Sequence, residues 1–213
     1  MSSIITCSLC QSDKTSHFHK EESRQFLICQ NCEYVFVPKI YQLSEDEEKL
    51  RYDTHNNDPK DIRYRQFLSQ LSEPLLKKIS DNSFGLDFGS GPGPTLSLML
   101  EDYGHKVALF DKFYAKDTSV FNRKYDFITA TEVIEHLSNP MTEINRLIKC
   151  LNDGGYLAVM TQILTSKIDF SNWYYKNDPS HIGFFSKKTL SYLASNFDLE
   201  VEFISERVIF FRK

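Results

Sequence analysis

The segment LDFGSGPGPT, residues 86–95, constrains this chain more than any other, because an apolar run breaks at alternating glycines and a helix-compatible stretch follows at once. A strand that turns into a helix through Gly89, Gly91 and Gly93 leaves its backbone open to a ligand, since glycine tolerates positive φ and carries no Cβ. From Phe84 onward, short apolar runs alternate with helical periodicity, which predicts βαβ units and a mostly parallel sheet. Strands are expected at GLDF, KVALFD (106–111), YDFITA (125–130) and YLAVMTQIL (156–164). Helices are expected over TLSLMLEDYG, capped by Gly104, over PMTEINRLIKCLNDGG, ended by Gly154 and Gly155, and over 186–196 with Ser186 as N-cap. The tail runs DLEVEFIS and RVIFFRK read as an antiparallel pair closing the sheet. Ahead of the loop, Phe67, Leu68, Leu71, Leu75, Leu76 and Ile79 outline an amphipathic helix interrupted at Pro74.

Asp111 ends the strand after the loop, where a carboxylate can accept both ribose hydroxyls of a nucleoside. A dinucleotide fingerprint starting at Gly89 would need glycine at 94. Pro94 stands there and removes an amide that a pyrophosphate would use. No G-K-[ST] follows, which disfavours nucleoside triphosphate hydrolysis too. An adenosine-type ligand without phosphates remains, and Asp87 at the loop's opening suits a cationic amino-acid portion.

These residues resemble the class I S-adenosylmethionine-dependent methyltransferases over about residues 84–213. Asp87, Gly89, Gly91 and Gly93 look like the family's first motif, Asp111 like its ribose-binding acid, and TATEVIEHL (129–137) like the segment after its fourth strand. The resemblance implies a Rossmann-like α/β sheet of seven strands, mostly parallel with the last antiparallel. It also implies S-adenosylmethionine as methyl donor, with Ser90, Lys112, Thr131 and Glu132 joining the cofactor-binding set. Residues 112–124 are too few for a full third strand with its helices, so that region is expected to be reduced and no residue is assigned to the adenine amino group. No Asn/Asp-Pro-Pro-aromatic motif follows YDFITA, which disfavours exocyclic base amines as acceptors.

The N-terminal residues 1–38 carry two C-x-x-C knuckles, Cys7/Cys10 and Cys29/Cys32. Paired knuckles supply the tetrahedral four-thiolate set that suits zinc, and a zinc ribbon is the expected module. A core this small leans on the metal for folding. Similar ribbons precede some methyltransferases acting on sugars or ribosomal RNA. The acids Asp13, Glu21, Glu22 and Glu33 balance Lys14, Lys20 and Arg24 there, which does not favour a nucleic-acid finger. His17 and His19 are read as surface residues. Residues 39–83 are read as linker and N-terminal helices, or equally as a lid that brings Tyr52 and His55 over the methionine end of the cofactor. Residues 84–213 form the cofactor-binding domain.

For proton acceptance the candidates are Glu132, Glu135 and His136 of TEVIEHL and His181, in the aromatic-rich loop 170–185, with His181 preferred; the loop itself is expected to wall or cover a pocket. A formal charge of -4 offers no global pull toward nucleic acid, and no apolar run reaches membrane-spanning length. The start lacks a secretory pattern, so a cytoplasmic enzyme with reduced cysteines is expected. The leading expectation is methyl transfer to a small molecule. The alternatives are a zinc-ribbon RNA methyltransferase and a non-catalytic S-adenosylmethionine-binding protein.

Overall fold

The computed structural model describes residues 5–54 and 57–213. Its N-terminal strands are β1 (Thr15–Lys20), β2 (Gln25–Cys29) and β3 (Val35–Phe36). Helices α1 (Glu45–Tyr52) and α2 (Ile62–Leu76) follow. The main sheet is built from β4 (Phe84–Phe88), β5 (Lys106–Phe110), β6 (Tyr125–Thr131) and β7 (Leu151–Met160), with α3 (Thr95–Glu101) and α4 (Pro140–Cys150) as crossovers. The two-residue strand β8 (Gly183–Phe184), helix α5 (Lys187–Asn196), β9 (Glu200–Phe203) and β10 (Val208–Arg212) complete the chain.

The main sheet runs β5-β4-β6-β7-β10-β9. Its first four strands are parallel, and β10 runs antiparallel to both of its neighbours. The sheet has six strands among the described residues, because a 3-10 turn at Thr118–Asn122 occupies the place of the reduced third strand. Both faces are covered, as near-continuous apolar strands require. On one side Leu68, Leu71 and Leu75 of α2 pack with Leu96 and Leu100 of α3 over Phe127, Ala158, Met160 and Phe210. On the other, Ile144, Leu147 and Ile148 of α4 and Leu190 and Leu193 of α5 cover Ile128, Ala130, Leu157, Val159 and Ile209. Each of these buried Leu and Ile side chains contributes about 1.5–3 kcal/mol relative to exposure.

Local chemistry sets most element ends. The Gly104 N–H donates to Glu101 O (2.9 Å) and the His105 N–H to Leu100 O (3.3 Å), with Gly104 at φ +86°, which closes α3 in a Schellman turn. Ser186 and Thr189 form a reciprocal capping box on α5. Helix α2 continues through Pro74, which lies in its last turn.

The α4 end departs from expectation. The helix stops at Cys150, and Gly154 and Gly155 lie inside β7. Leu151 is buried opposite Tyr125, and Tyr156 is the next residue paired, opposite Phe127, so residues 152–155 bulge out of the ladder. The bulge bonds instead to the C-terminus, through Gly154 N–H to Lys213 O (2.8 Å) and Lys213 N–H to Gly155 O (3.0 Å).

A second, antiparallel sheet runs β1-β2-β3-β8. Its last strand comes from the far end of the chain, with Val35 opposite Phe184 and Phe36 opposite Gly183. The aromatic rings of the loop are core: Phe170, Trp173, Tyr175 and Phe184 are buried against Phe26, Val35 and Val37 of the cysteine module, while His181 is the residue of that loop that borders the cavity. No helix among the described residues is long and apolar enough to cross a membrane.

Candidate active site

The glycine loop leaves β4 at the carboxyl end of the parallel sheet. Gly89 and Gly91 have φ of +78° and +64°. The Gly89 N–H (2.8 Å) and the Ser90 N–H (3.2 Å) both donate to Phe110 O, which ties the loop to the end of β5. The openness at Gly93 serves the protein's own backbone, since a Cβ there would meet Asn57 O at 2.3 Å.

Around this loop lies a cavity of about 330 Å³. Asp87, Gly89, Ser90, Gly91, Gly93, Asp111, Lys112, Thr131, Glu132, Tyr52, His136 and His181 all line it. Of the residues expected at the site from sequence, His55 lies outside the described residues. Glu48, Asn57, Tyr64, Phe67, Tyr114 and Val133 line the cavity as well and were not anticipated. Glu48 is one acid among several in the polar stretch 45–48, and helical periodicity places Phe67 on a helix without saying which turn faces a ligand.

Asp111 is 9% exposed, and its carboxylate is already engaged. Oδ1 accepts from the Phe113 (2.8 Å) and Tyr114 (3.1 Å) amides, and Oδ2 accepts from Gly91 N–H (3.0 Å). The same group that faces the cavity thus also shapes the turn after β5. Asp87 is buried, which pushes its carboxyl up to about 6, against the opposing effect of Thr129 Oγ1–H donating to Oδ1 (2.7 Å).

Three buried polar atoms of lining residues, Ser90 Oγ, Thr131 Oγ1 and Glu132 Oε1, have no hydrogen-bond partner among the described residues. Burial also raises the Glu132 carboxyl, and Arg207 Nη1 stands 4.0 Å away. Glu132 sits at φ +52°, a left-handed conformation that non-glycine residues seldom adopt. Unsatisfied donors and acceptors beside two buried carboxylates suit a polar ligand that carries positive charge, and a nucleoside joined to a cationic amino acid meets that description.

Helix α1 borders the cavity. Ser44 caps it in a box with Glu47, and Glu48 and Tyr52 turn into the cavity. Glu48 pairs with Lys112, Asp53 accepts from the Tyr114 hydroxyl (2.6 Å), and Arg51 meets Asp178 at 2.8 Å. These contacts bind α1 both to the turn after β5 and to the loop that carries His181.

The two histidines stand together, ring centroids 4.7 Å apart, with Tyr52 edge-on to His136 at 5.4 Å. His181 Nδ1 lies 2.7 Å from Tyr175 O, and His136 Nδ1 lies 2.9 Å from Ser180 O. A carbonyl partner requires the proton on Nδ1, so Nε2 is the acceptor nitrogen of each neutral ring. Burial pulls the His181 imidazole below its ordinary value and favours that neutral form. Behind them Glu135 is fully buried and accepts from the Tyr175 hydroxyl; burial, reinforced by the Glu132 charge, pushes it up to about 8.

The four N-terminal cysteines are unbridged and converge. Cys7 Sγ lies 3.7 Å from Cys32 Sγ, and Cys10 Sγ lies 3.5 Å from Cys29 Sγ. A tetrahedral ion with bonds of ~2.3 Å needs sulfur–sulfur edges of about 3.8 Å, so the set fits one such ion. Hydrogen bonding from Cys32 lowers the Cys7 thiol to about 5.

The methyltransferase-domain family matches residues 61–203 of the chain. No curated protein sequence matches it. Among solved structures it is similar to the 1,6-didemethyltoxoflavin-N1-methyltransferase of Burkholderia thailandensis, determined with 1,6-didemethyltoxoflavin and S-adenosylhomocysteine bound, at 13% identity and TM-score 0.52 over 92% of this chain and 98% of that one. It is also similar to a SAM-dependent methyltransferase from Archaeoglobus fulgidus, at 16% identity and TM-score 0.53 over 70% and 94%. A third likeness is to an O-methyltransferase family protein from Burkholderia thailandensis, at 13% identity and TM-score 0.51, covering 78% of this chain and 62% of that protein's length. At such identities the likeness is one of fold.

Proposed function

The chain belongs to the methyltransferase-domain family, and from that membership we propose that it transfers a methyl group from S-adenosylmethionine to a small-molecule acceptor. The observation that carries the reading is the convergence of the glycine loop, Asp111 and two histidines on one cavity. Its similarity to an enzyme with a small heterocycle bound supports the acceptor class.

In this reading Gly89, Ser90 and Gly91 pass along the donor, and Asp111 takes the ribose hydroxyls. Asp87 answers the positive amino-acid end, with Gly93 shaping the loop beside it. Ser90 Oγ, Thr131 Oγ1 and Glu132 Oε1 acquire the partners they lack. Lys112 holds Glu48 and so keeps α1 over the site. When bound, the donor supplies an electrophilic methyl group on a sulfonium. Tyr52 and the rest of α1 exclude water and hold the reactants in line, from which much of the rate of such a displacement comes. His181 accepts the acceptor's proton at Nε2, and His136 stands beside it as the second acceptor and as a wall. The four cysteines, Cys7, Cys10, Cys29 and Cys32, hold a structural zinc ion.

Calorimetry tests the reading. Wild-type protein is expected to bind S-adenosylmethionine, and Asp111→Ala to bind it about 10- to 100-fold more weakly, the loss of charge-assisted hydrogen bonds. Wild-type protein that binds no donor would overturn the assignment.

A further inference from the structure

The cysteine module backs the wall that carries the acceptor-side histidines, and we propose that it positions His181, with Arg24 as the residue through which it acts. The imidazole of His181 faces the cavity, while its main chain is held from the opposite side by residues 24–37. Arg24 is 6% exposed, and its Nη1 donates to Asp178 O (3.1 Å) and His181 O (3.3 Å). A guanidinium buried this far is costly unless its hydrogen bonds are well placed. Here they go to the main chain of the one loop that presents His181. Glu21 holds Arg24 in place and also pairs with Lys176 at the start of that loop.

The next residue extends the connection. Val37 N–H donates to Ile182 O (2.9 Å), and Ile182 N–H donates to Glu135 O (2.9 Å). Ile182 therefore links the module to the turn that carries His136, whose own Nδ1 bonds to Ser180 O. Strand β3 pairs with β8 immediately afterwards, and Phe26 packs on Phe170 and Phe184 at 5.1 and 5.8 Å.

The metal set controls where β3 begins. Glu33 N–H donates to Cys29 O (2.9 Å) and Cys29 N–H to Tyr34 O (3.0 Å), so the knuckle that presents Cys29 and Cys32 is the turn between β2 and β3. Closing that knuckle on an ion fixes β3, β3 fixes β8, and with Arg24 it sets the main chain on both sides of His181. The assignment rests on the methyl-transfer reading only for the role of His181; the coupling itself is read without any acceptor.

The experiment compares zinc-loaded wild type, metal-stripped wild type and zinc-loaded Arg24→Ala, all as the full chain. It measures amide hydrogen exchange, the His181 imidazole ¹³Cε1 resonance, metal content and S-adenosylhomocysteine binding. Arg24→Ala is expected to keep its zinc and to bind S-adenosylhomocysteine within about twofold of wild type. Amides of 178–184 should exchange about tenfold faster, and the His181 resonance should move. Stripping the metal should produce the same two changes. Arg24→Lys, which keeps the charge and one reaching donor, should fall between. Exchange altered only within residues 5–37, with an unmoved His181 resonance, would overturn the proposal. So would loss of S-adenosylhomocysteine binding in Arg24→Ala alone, because Arg24 would then support the whole fold. Failure of wild type to bind S-adenosylhomocysteine would count against methyl transfer and leave the exchange result to decide the coupling.

Discussion

Asp87 combines burial with a place on the cavity wall, and that combination has a pH consequence. Burial pushes its carboxyl up to about 6 from an ordinary value near 3.8. Between these values the folded protein holds a proton that the unfolded chain has lost, so the Asp87 contribution to stability falls as pH rises through that window and is level above it. Binding of a cationic ligand runs the other way, because the ligand favours the ionised carboxylate. Donor affinity is expected to be full above pH 6 and to weaken by up to about tenfold per pH unit below it. Asp87→Asn should bind more weakly and show no such dependence. Calorimetric titrations with S-adenosylmethionine from about pH 7.5 to 5 check this; a flat wild-type profile contradicts it. The placement of Asp87 and Asp111 on one cavity was legible in the sequence, since a carboxylate opening a glycine loop and another ending the next parallel strand fall at the same end of the sheet. The use of Gly93 was not, because the atom that approaches it belongs to Asn57, far away along the chain.

Elements held by neighbouring residues were readable, and elements made by distant ones were not. The Ser186 cap, the Gly104 turn and the amphipathic face of α2 each follow from a few adjacent residues. Strand β8 has two residues and no periodicity to announce it; it exists because β3 offers an edge. TATEVIEHL, likened above to the segment after the family's fourth strand, ends β6 and then forms a 3-10 turn over Ile134–His136, with Ile182 bonded to its main chain. The β3–β8 seam makes a sharp prediction. A Cβ on Gly183 would lie 1.9 Å from the Tyr34 hydroxyl oxygen, and Tyr34 is itself buried. Gly183→Ala should cost about 1–3 kcal/mol by overpacking, a fall of roughly 3–9 °C in melting temperature for a chain of this size. Tyr34→Phe in the same background, by removing the clashing oxygen, should restore part of the loss. Thermal unfolding of the three variants measures it, and a Gly183→Ala protein as stable as wild type would mean that the seam opens freely.

At the scale of the molecule the two sheets share a core. Cys7, Leu9, Leu27, Cys29, Cys32, Tyr34 and Phe36 belong to the same buried cluster as Phe185, Leu190 and Leu193 beside the main sheet. Residues 1–38 read by themselves as a small core leaning on metal; the surface they borrow from 170–193 is visible only once the chain has folded back. The expectation for the aromatic loop holds for His181, which borders the cavity, and not for its rings, since rings crowded in one segment look alike whether they face a ligand or another part of the protein. A shared core changes what metal loss should do. An independent ribbon would melt by itself and leave the main sheet intact, whereas a ribbon packed into the common cluster should lower the stability of everything it touches. Cys29→Ser, or stripping by a strong chelator, is expected to remove about one zinc per chain and to lower the single thermal transition by on the order of 10 °C. Adding zinc should restore the stripped wild type but not the variant. Calorimetry combined with metal analysis decides the matter: a separate low-temperature transition, with the main one unmoved, would show the module to be thermodynamically detached, and full metal content in Cys29→Ser would remove Cys29 from the ligand set.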